Sequence, residues 1–157
     1  MPPSTAPAPS LRTLRQRRDR ARDLMSYAGW TAMAVGLWDG VLAVTWLLQG
    51  NVGASTLLGM ATTGAILGVF GWRLTEGGLE WDAIVVLVAY LVDAFGPVLL
   101  ARDFSGIVWK VVLAGFFVRG LMATVDYHEL AEQVAAHPEA ALEQAVVEWK
   151  PPAPPAT

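Results

Sequence analysis

Four apolar stretches, each long enough to cross a lipid bilayer, constrain this chain more than any other feature of its sequence. They run over about 27–48, 54–72, 81–101 and 105–125. A helix needs about 20 mostly apolar residues to cross a hydrocarbon core about 30 Å thick. Charged residues make up 16% of the 157 residues, against about 25% in soluble domains. The sequence therefore predicts an all-α membrane protein with four spans over residues 27–125.

The connections between the spans are short and contain turn residues. Gln49, Gly50 and Asn51 separate the first two spans, residues 76–78 (Glu-Gly-Gly) separate the second pair, and residues 102–103 (Arg-Asp) separate the last pair. Connections this short join antiparallel neighbours, so we expect an antiparallel four-helix transmembrane bundle. The first stretch is longer than a signal-peptide core and contains Asp39, which favours a retained span over a cleaved one.

The segments outside the spans differ in composition and charge. Residues 1–10 and 151–157 are rich in proline and small residues and are expected to be disordered. Residues 11–26 form a basic arm with six arginines against two aspartates. Residues 126–150 form an acidic tail, which we expect to be helical and broken at His137-Pro138, because the residue before a proline avoids the helical region.

The distribution of Arg and Lys predicts the orientation in the membrane. Basic residues collect on the cytoplasmic side, and the arm, Arg73 and Lys150 lie on one side while Arg102 lies on the other. We therefore expect a multi-pass protein of the inner (plasma) membrane with both termini cytoplasmic. Arginine in place of most lysines, with abundant Ala, Gly and Val, is typical of a GC-rich bacterial genome. Two aromatic belts agree with this orientation: Tyr27, Trp30, Trp72, Trp81 and Tyr127 inside, and Trp46, Phe104 and Trp109 outside.

Four charged residues fall within the predicted spans: Asp39, Asp93, Lys110 and Arg119. A charge near the bilayer centre costs roughly 2.5–3.5 kcal/mol, so such residues face protein or water. Two acids and two bases can neutralise each other and set the helix register. The same residues also suit a proton or ion pathway, or pairing with a membrane helix of another subunit.

Gly96 and Pro97 predict a bend in the third span. Proline has no N–H, so the carbonyl of Asp93, four residues earlier, loses its helical partner. Gly96 loosens the same turn. A free carbonyl and a carboxylate would then lie together near the middle of the membrane, where they could accept a cation, a proton or a lysine.

Glycines at a spacing of four residues mark two helix-packing segments. Gly36 and Gly40 lie in the first span, and Gly64 and Gly68 in the second. Small residues at this spacing let helix backbones approach closely. The pattern suits packing within one bundle, contact between copies of the chain, or contact with another membrane protein.

The two soluble ends suggest different partners. The arm suits anionic lipid headgroups or contact with the acidic tail, and nucleic acid is not expected because no recognition fold accompanies it. In the tail, Leu142, Val146 and Trp149 form an apolar stripe. That stripe can fold against the bundle or dock a cytoplasmic partner.

The sequence contains no pattern typical of an enzyme. Cysteine is absent, His128 and His137 lack the spacing of a metal site, and neither catalytic nor phosphate-binding motifs occur. We therefore expect no cofactor, no metal and no catalytic residues. The leading hypothesis is a non-catalytic accessory, scaffolding or assembly subunit, and the alternative is a proton- or ion-translocating protein that uses the intramembrane carboxylates.

Overall fold

The computed structural model describes residues 9–50, 53–101 and 106–140. Within these residues the regular structure is entirely helical. It comprises α1 (Leu11–Gln49), α2 (Ala54–Thr75), α3 (Glu80–Ala101) and α4 (Ile107–Ala135). The prediction of an all-α protein is therefore confirmed for the described part of the chain.

Two of the helices are longer than a membrane crossing requires. α1 has 39 residues, a length of about 58 Å, and α4 has 29 residues, about 44 Å at 1.5 Å per residue. A hydrocarbon core is about 30 Å thick. The basic arm and the first apolar stretch are therefore one unbroken helix, and α4 continues into the acidic tail.

Local sequence explains where α1 begins and ends. The Ser10 hydroxyl accepts a hydrogen bond from the backbone N–H of Thr13, which satisfies one of the free donors at a helix start. Gly50 ends the helix with φ of 68°, and its N–H donates to the Leu47 carbonyl. Glycine adopts this left-handed conformation without the penalty that a side chain brings.

The helices contact one another in a closed order. α1 packs against α2 and α4, and α3 packs against the same two helices. Gly29 contacts Gly71, and Gly36, seven residues further along α1, contacts Gly64, seven residues earlier on α2. The paired numbers run in opposite directions, so α1 and α2 are antiparallel.

The buried residues of α1 form one continuous seam from the arm into the apolar stretch. Their spacing alternates mainly between three and four residues, the period of helices packed side by side. The seam includes Leu11, Leu14, Ala21, Met25, Ala28, Ala32, Gly36, Asp39 and Ala43. The arm therefore extends the packing of the apolar part of the helix into the soluble region.

Three of the helices, α1, α2 and α4, are long and apolar enough to cross a membrane by their length and composition. Most of the exposed tryptophans agree with such an environment, whereas Trp38, also exposed, lies midway between Trp30 and Trp46. Trp30 and Trp46 on α1 are exposed and lie about 24 Å apart along the helix axis. Trp72 and Trp81 are exposed near the level of Trp30, and Trp109 is exposed at the opposite end. Tryptophan prefers the membrane interfaces.

Candidate functional site

Asp39 lies on the side of α1 that faces the other helices. It is 7% exposed, and its Cβ lies 3.5 Å from the position that a Cβ on Gly64 would occupy. Its Oδ2 atom is buried and finds no hydrogen-bond partner among the described residues. A buried polar atom without a partner costs roughly 1–3 kcal/mol, and more when it is charged. Asp39 therefore presents an unsatisfied acceptor inside the protein.

Three further residues from α3 and α4 interact with this carboxyl or with each other. Asp93 is half-buried and interacts electrostatically with Asp39 and with Lys110. Tyr90 is 3% exposed, and its hydroxyl donates to the Lys110 backbone carbonyl at 3.0 Å. We call Asp39, Tyr90, Asp93 and Lys110 the carboxylate cluster. Tyr90 was not among the sequence-predicted residues, because tyrosine in an apolar span is also typical of ordinary core packing.

Arg119 lies outside the carboxylate cluster. Its side chain is exposed, whereas Lys110 on the same helix is half-buried. The two residues are nine positions apart, which places them on opposite sides of an α-helix. The structure therefore brings together three of the four predicted intramembrane charges and leaves the cluster with two acids and one base.

The predicted bend lies in an unbroken part of α3. The helix continues through Gly96 and Pro97 to Ala101. Because Pro97 has no N–H to donate, the Asp93 carbonyl lacks that helical hydrogen bond. The side chains from residue 97 to the end of α3 lie outside the description, and the bend itself stays a prediction.

Two of the four predicted packing glycines are in direct contact. A Cβ on Gly36 would lie 2.5 Å from the Gly64 carbonyl oxygen, and one on Gly64 would lie 2.7 Å from the Gly36 carbonyl oxygen. A second pair, Gly29 and Gly71, meets in the same way. Gly29 was not singled out from the sequence, although its seven-residue spacing from Gly36 is a signal for it.

The other two predicted packing glycines face open space. A Cβ on Gly40 or Gly68 would meet no atom within 4 Å. Both residues line an apolar groove of about 890 Å³ between α1 and α2, together with Leu37, Val44 and Ala65. In α1 the motif therefore contributes Gly36 to the α1–α2 contact and Gly40 to the groove. In α2 the backbone nitrogen of Gly68 also lies at that contact, 3.1 Å from a Cβ on Gly36.

Outside the apolar region, α1 and α4 form a two-helix projection that we call the stalk: residues 11–25 of α1 and 126–135 of α4. Leu11 and Leu14 are 4% exposed and pack with Val134 and Ala140, with Leu130 alongside. The arm is therefore held against the first part of the acidic tail by apolar contacts.

The charges of the stalk remain largely exposed. Arg12, Arg17 and Arg20 on α1 are exposed, and grooves of about 560 and 450 Å³ flank the α1–α4 contact. Arg18 pairs at 3.3 Å with Asp19 of its own helix. In the part of the chain that the structure describes, neither Arg12 nor Arg17 forms an ion pair with α4. These guanidinium groups are accessible to a partner.

A polar junction joins α2, α3 and α4 at the same end as the stalk. Asp82 is 2% exposed; it accepts from the Leu79 backbone N–H at 2.8 Å and pairs with the Arg73 guanidinium at 3.2 Å. Nε2 of His128 on α4 lies 3.1 Å from the Gly78 carbonyl oxygen. Because a carbonyl only accepts, this nitrogen carries the proton. The junction fixes the α2–α3 turn against α4.

Two remaining predictions concern docking and metal binding. The apolar stripe Leu142, Val146 and Trp149 lies outside the described residues. Among the described residues, no group of three or more His, Cys, Asp or Glu side chains could hold a metal ion.

No protein-family model, curated protein or solved structure matches this chain. Its own geometry gives its class: over the residues that the structure describes it is a helical protein, and three of the helices there are long and apolar enough to cross a membrane.

Proposed function

We propose that this chain is a non-catalytic accessory or scaffolding subunit of a bacterial plasma membrane. In this proposal α3 is the fourth crossing, the four helices form an antiparallel transmembrane bundle, and both termini are cytoplasmic. The contacts of α3 with α2 and α4 support this arrangement, as does the excess of basic residues at the stalk end.

The stalk is the observation that carries the proposal. Tyr27 and Trp30 are exposed at the level expected for the headgroups. Arg20 and Arg22 lie about 10 and 8 Å beyond Tyr27 along α1, whereas Arg17 and Arg12 lie about 15 and 22 Å beyond it. Electrostatic attraction to a lipid surface fades over a Debye length of about 8 Å at physiological salt. We call Arg20 and Arg22 the near pair and Arg12 and Arg17 the far pair. The near pair is close enough to interact with anionic headgroups, and the far pair is too distant for them.

The far pair therefore suits a cytoplasmic protein partner. Exposed guanidinium groups bind carboxylates through paired hydrogen bonds, so the partner segment we propose is acidic. Leu11 and Leu14 hold α1 against α4, which keeps these arginines upright and away from the bilayer. A rigid, charged projection on a membrane anchor is a suitable docking element for an accessory subunit.

Co-purification followed by mass spectrometry tests this proposal. The full chain is expressed near its native level in its own membrane, and two double variants are compared: Arg12→Gln/Arg17→Gln and Arg20→Gln/Arg22→Gln. Each exposed ion pair with the partner contributes up to about 1 kcal/mol to binding. The variant that lacks Arg12 and Arg17, the far variant, should therefore recover about tenfold less of an acidic partner, and the variant that lacks Arg20 and Arg22 is the near variant. The near variant should keep that partner.

Two results would contradict the docking role. One is recovery of the chain alone from wild-type membranes. The other is an equal loss of partner in both double variants, which would indicate a general effect of charge.

A second candidate function, proton or ion translocation, is favoured by the unsatisfied Oδ2 of Asp39. Carboxyl groups inside a membrane are frequent members of proton relays. Vesicles reconstituted with the full chain should then show a flux that Asp39→Asn and Asp93→Asn each abolish. A flux no greater than that of empty vesicles would exclude translocation.

A further inference from the structure

We propose that the exposed face of α4 around Arg119 binds a membrane helix of another protein, and that this helix carries an aspartate or glutamate at matching depth. The inference rests on the membrane crossing by α4 that the proposed function includes. It goes beyond the docking role of the stalk, because it places a second interface inside the lipid. Three observations support it: the exposure of the charge, its depth and the space beside it.

Arg119 is a charge on the outer surface of an apolar helix. Its side chain is exposed, and it forms no ion pair with any residue that the structure describes. Charged residues within membrane spans almost always face the interior of the bundle or a water-filled cavity. The residues that share this face are exposed and apolar, at a spacing of three or four: Val108, Val112, Gly115 and Met122. We call these four residues and Arg119 the α4 face.

The depth of Arg119 places it between the two membrane interfaces. Tyr127 and Trp109 are the belt residues of α4, one at each interface. Along the helix axis Arg119 lies about 12 Å from Tyr127 and about 15 Å from Trp109. The Cα–Cβ bonds of a helix tilt toward its N-terminus, so the Arg119 side chain leaves α4 in the direction away from Tyr127, the nearer interface. Its charge therefore requires a partner within the membrane.

The α4 face has room for a helix beside the charge. Gly115 lies about one turn from Arg119, on the side toward which the arginine Cα–Cβ bond tilts. A Cβ on Gly115 would meet no atom within 4 Å. A glycine at an open position lets the backbone of another helix approach closely. A carboxylate on that helix can then accept two parallel hydrogen bonds from the guanidinium group.

The charge of the face favours a different protein over a second copy of this chain. Two copies that met through the α4 face would bring the same residues together, including two arginines. The acids of this chain within the predicted spans are Asp39, which is 7% exposed, and Asp93, which is half-buried. Neither is presented on the surface as Arg119 is. The carboxylate therefore comes from a helix of another protein.

Energy transfer in lipid vesicles between the labelled full chain and a synthetic membrane helix tests the inference. The probe is a polyleucine helix with one central glutamate, and the comparison helix has glutamine at that position. We expect the glutamate helix to bind the wild type about tenfold more tightly than it binds Arg119→Met, the size of one interhelical polar pair. Arg119→Lys, which keeps the cation, should restore most of the binding. The matched control is Val69→Met, which places the same side chain at an exposed position of α2 and should leave binding unchanged.

The two synthetic helices also give a test that needs no variant of the chain. The wild type should bind the glutamate helix about tenfold more tightly than the glutamine helix. Equal binding of the two helices by the wild type, or equal binding of the glutamate helix by the wild type and Arg119→Met, would overturn the inference. The vesicles contain no cytoplasmic partner, so this result is independent of the docking role of the stalk.

Photo-crosslinking in native membranes tests the occupant of the face. A photoreactive residue replaces Met122, which is 64% exposed and belongs to the α4 face. We expect a crosslink to an apolar segment of another protein that contains Asp or Glu, and about tenfold less of it when Arg119→Met is added. A crosslink only to lipid, to a second copy of this chain or to a segment without an acid would contradict the inference.

Discussion

The two halves of α1 pack by opposite means. In the apolar half, Gly29 and Gly36 meet the backbone of α2 with no side chain between them. In the stalk half, Leu11 and Leu14 fill the space between α1 and α4 with large side chains. One uninterrupted helix of 39 residues therefore changes its packing chemistry along its length.

The surroundings proposed for each half explain the difference. In lipid, burying a leucine gains little, because the tails are as apolar as the protein, and association depends on close backbone contact between small residues. In water, burying a leucine side chain is worth roughly 1.5–3 kcal/mol. The change from glycine to leucine along α1 therefore agrees with a passage from lipid into water near Met25 and Tyr27.

The substitution with the largest expected effect is Gly36→Leu, and it tests this comparison. A Cβ at this position would lie 2.5 Å from the Gly64 carbonyl oxygen, and the rest of the side chain would force α1 and α2 apart. Overpacking costs typically 1–3 kcal/mol and occasionally more; because backbone blocks the space here, we expect about 3 kcal/mol. Unfolding in detergent, followed by tryptophan fluorescence, measures the loss.

Gly40→Leu is the matched control for that variant. It is the same substitution one turn further along the same helix, where a Cβ meets nothing within 4 Å. Its stability should stay within about 0.5 kcal/mol of the wild type. Equal effects at the two positions would show that glycine contacts do not hold α1 and α2 together.

The contrast between Gly36 and Gly40 also shows what the sequence can predict. The long apolar stretches and the turn glycine Gly50 were predictable, because length, hydropathy and left-handed turns depend on local residues. Gly36 and Gly40 differ by only about 40° around the helix. Which of them meets α2 depends on how the whole helix is rotated in the fold, and that rotation is a property of all the contacts together.

The residues of the candidate site could be predicted from the sequence, but their arrangement could not. Hydropathy identifies Asp39, Asp93, Lys110 and Arg119 as unusual residues in apolar segments. It does not indicate the direction of each side chain, so the exposure of Arg119 and the Tyr90 contact with Lys110 were not predicted. The buried face of the stalk could be predicted from the sequence, because Leu11, Leu14, Ala21 and Met25 follow helical spacing. The six arginines among these residues make the apolar spacing difficult to recognise.

In the stalk, Leu14→Ala should have the next largest effect. Leu14 is 4% exposed and packs in the cluster with Val134 and Ala140. Truncating a buried leucine costs about 2–5 kcal/mol; we expect the lower end of that range, because a two-helix projection can partly collapse into the space. Hydrogen exchange should increase in residues 11–25 and remain unchanged at Gly29 and Gly36.

Gln16→Ala is the control for the stalk, since Gln16 lies on the same part of α1 and is exposed. Its exchange pattern should match that of the wild type. If Leu14→Ala loosened the glycine contacts as much as the stalk, α1 would behave as one cooperative unit and the proposed division would be wrong.

Asp82→Asn tests the junction between the two environments. The aspartate caps α3 through the Leu79 N–H at 2.8 Å and pairs with Arg73 at 3.2 Å. Asparagine retains an acceptor for Leu79 and loses the charge, so we expect a loss of about 1.5 kcal/mol, typical of a hydrogen bond to a charged group. Thermal unfolding measures it, with Glu80→Gln, an exposed neighbour, as the control; an equal loss in both variants would contradict a specific role for Asp82.

Raising the salt concentration should have the smallest effect on stability. It shows whether apolar contacts or ion pairs stabilise the stalk. The buried contacts of the stalk are between Leu11, Leu14, Val134 and Ala140, and exposed ion pairs contribute at most about 1 kcal/mol each. Raising the ionic strength shortens the Debye length from about 10 Å at 0.1 M to about 3 Å at 1 M. The free energy of opening that hydrogen exchange measures in residues 11–25 should therefore change by less than about 1 kcal/mol over that range. This is less than the change expected for Leu14→Ala. A larger response to salt would assign the stalk to charge pairing and would remove the contrast between a leucine contact in water and a glycine contact in lipid.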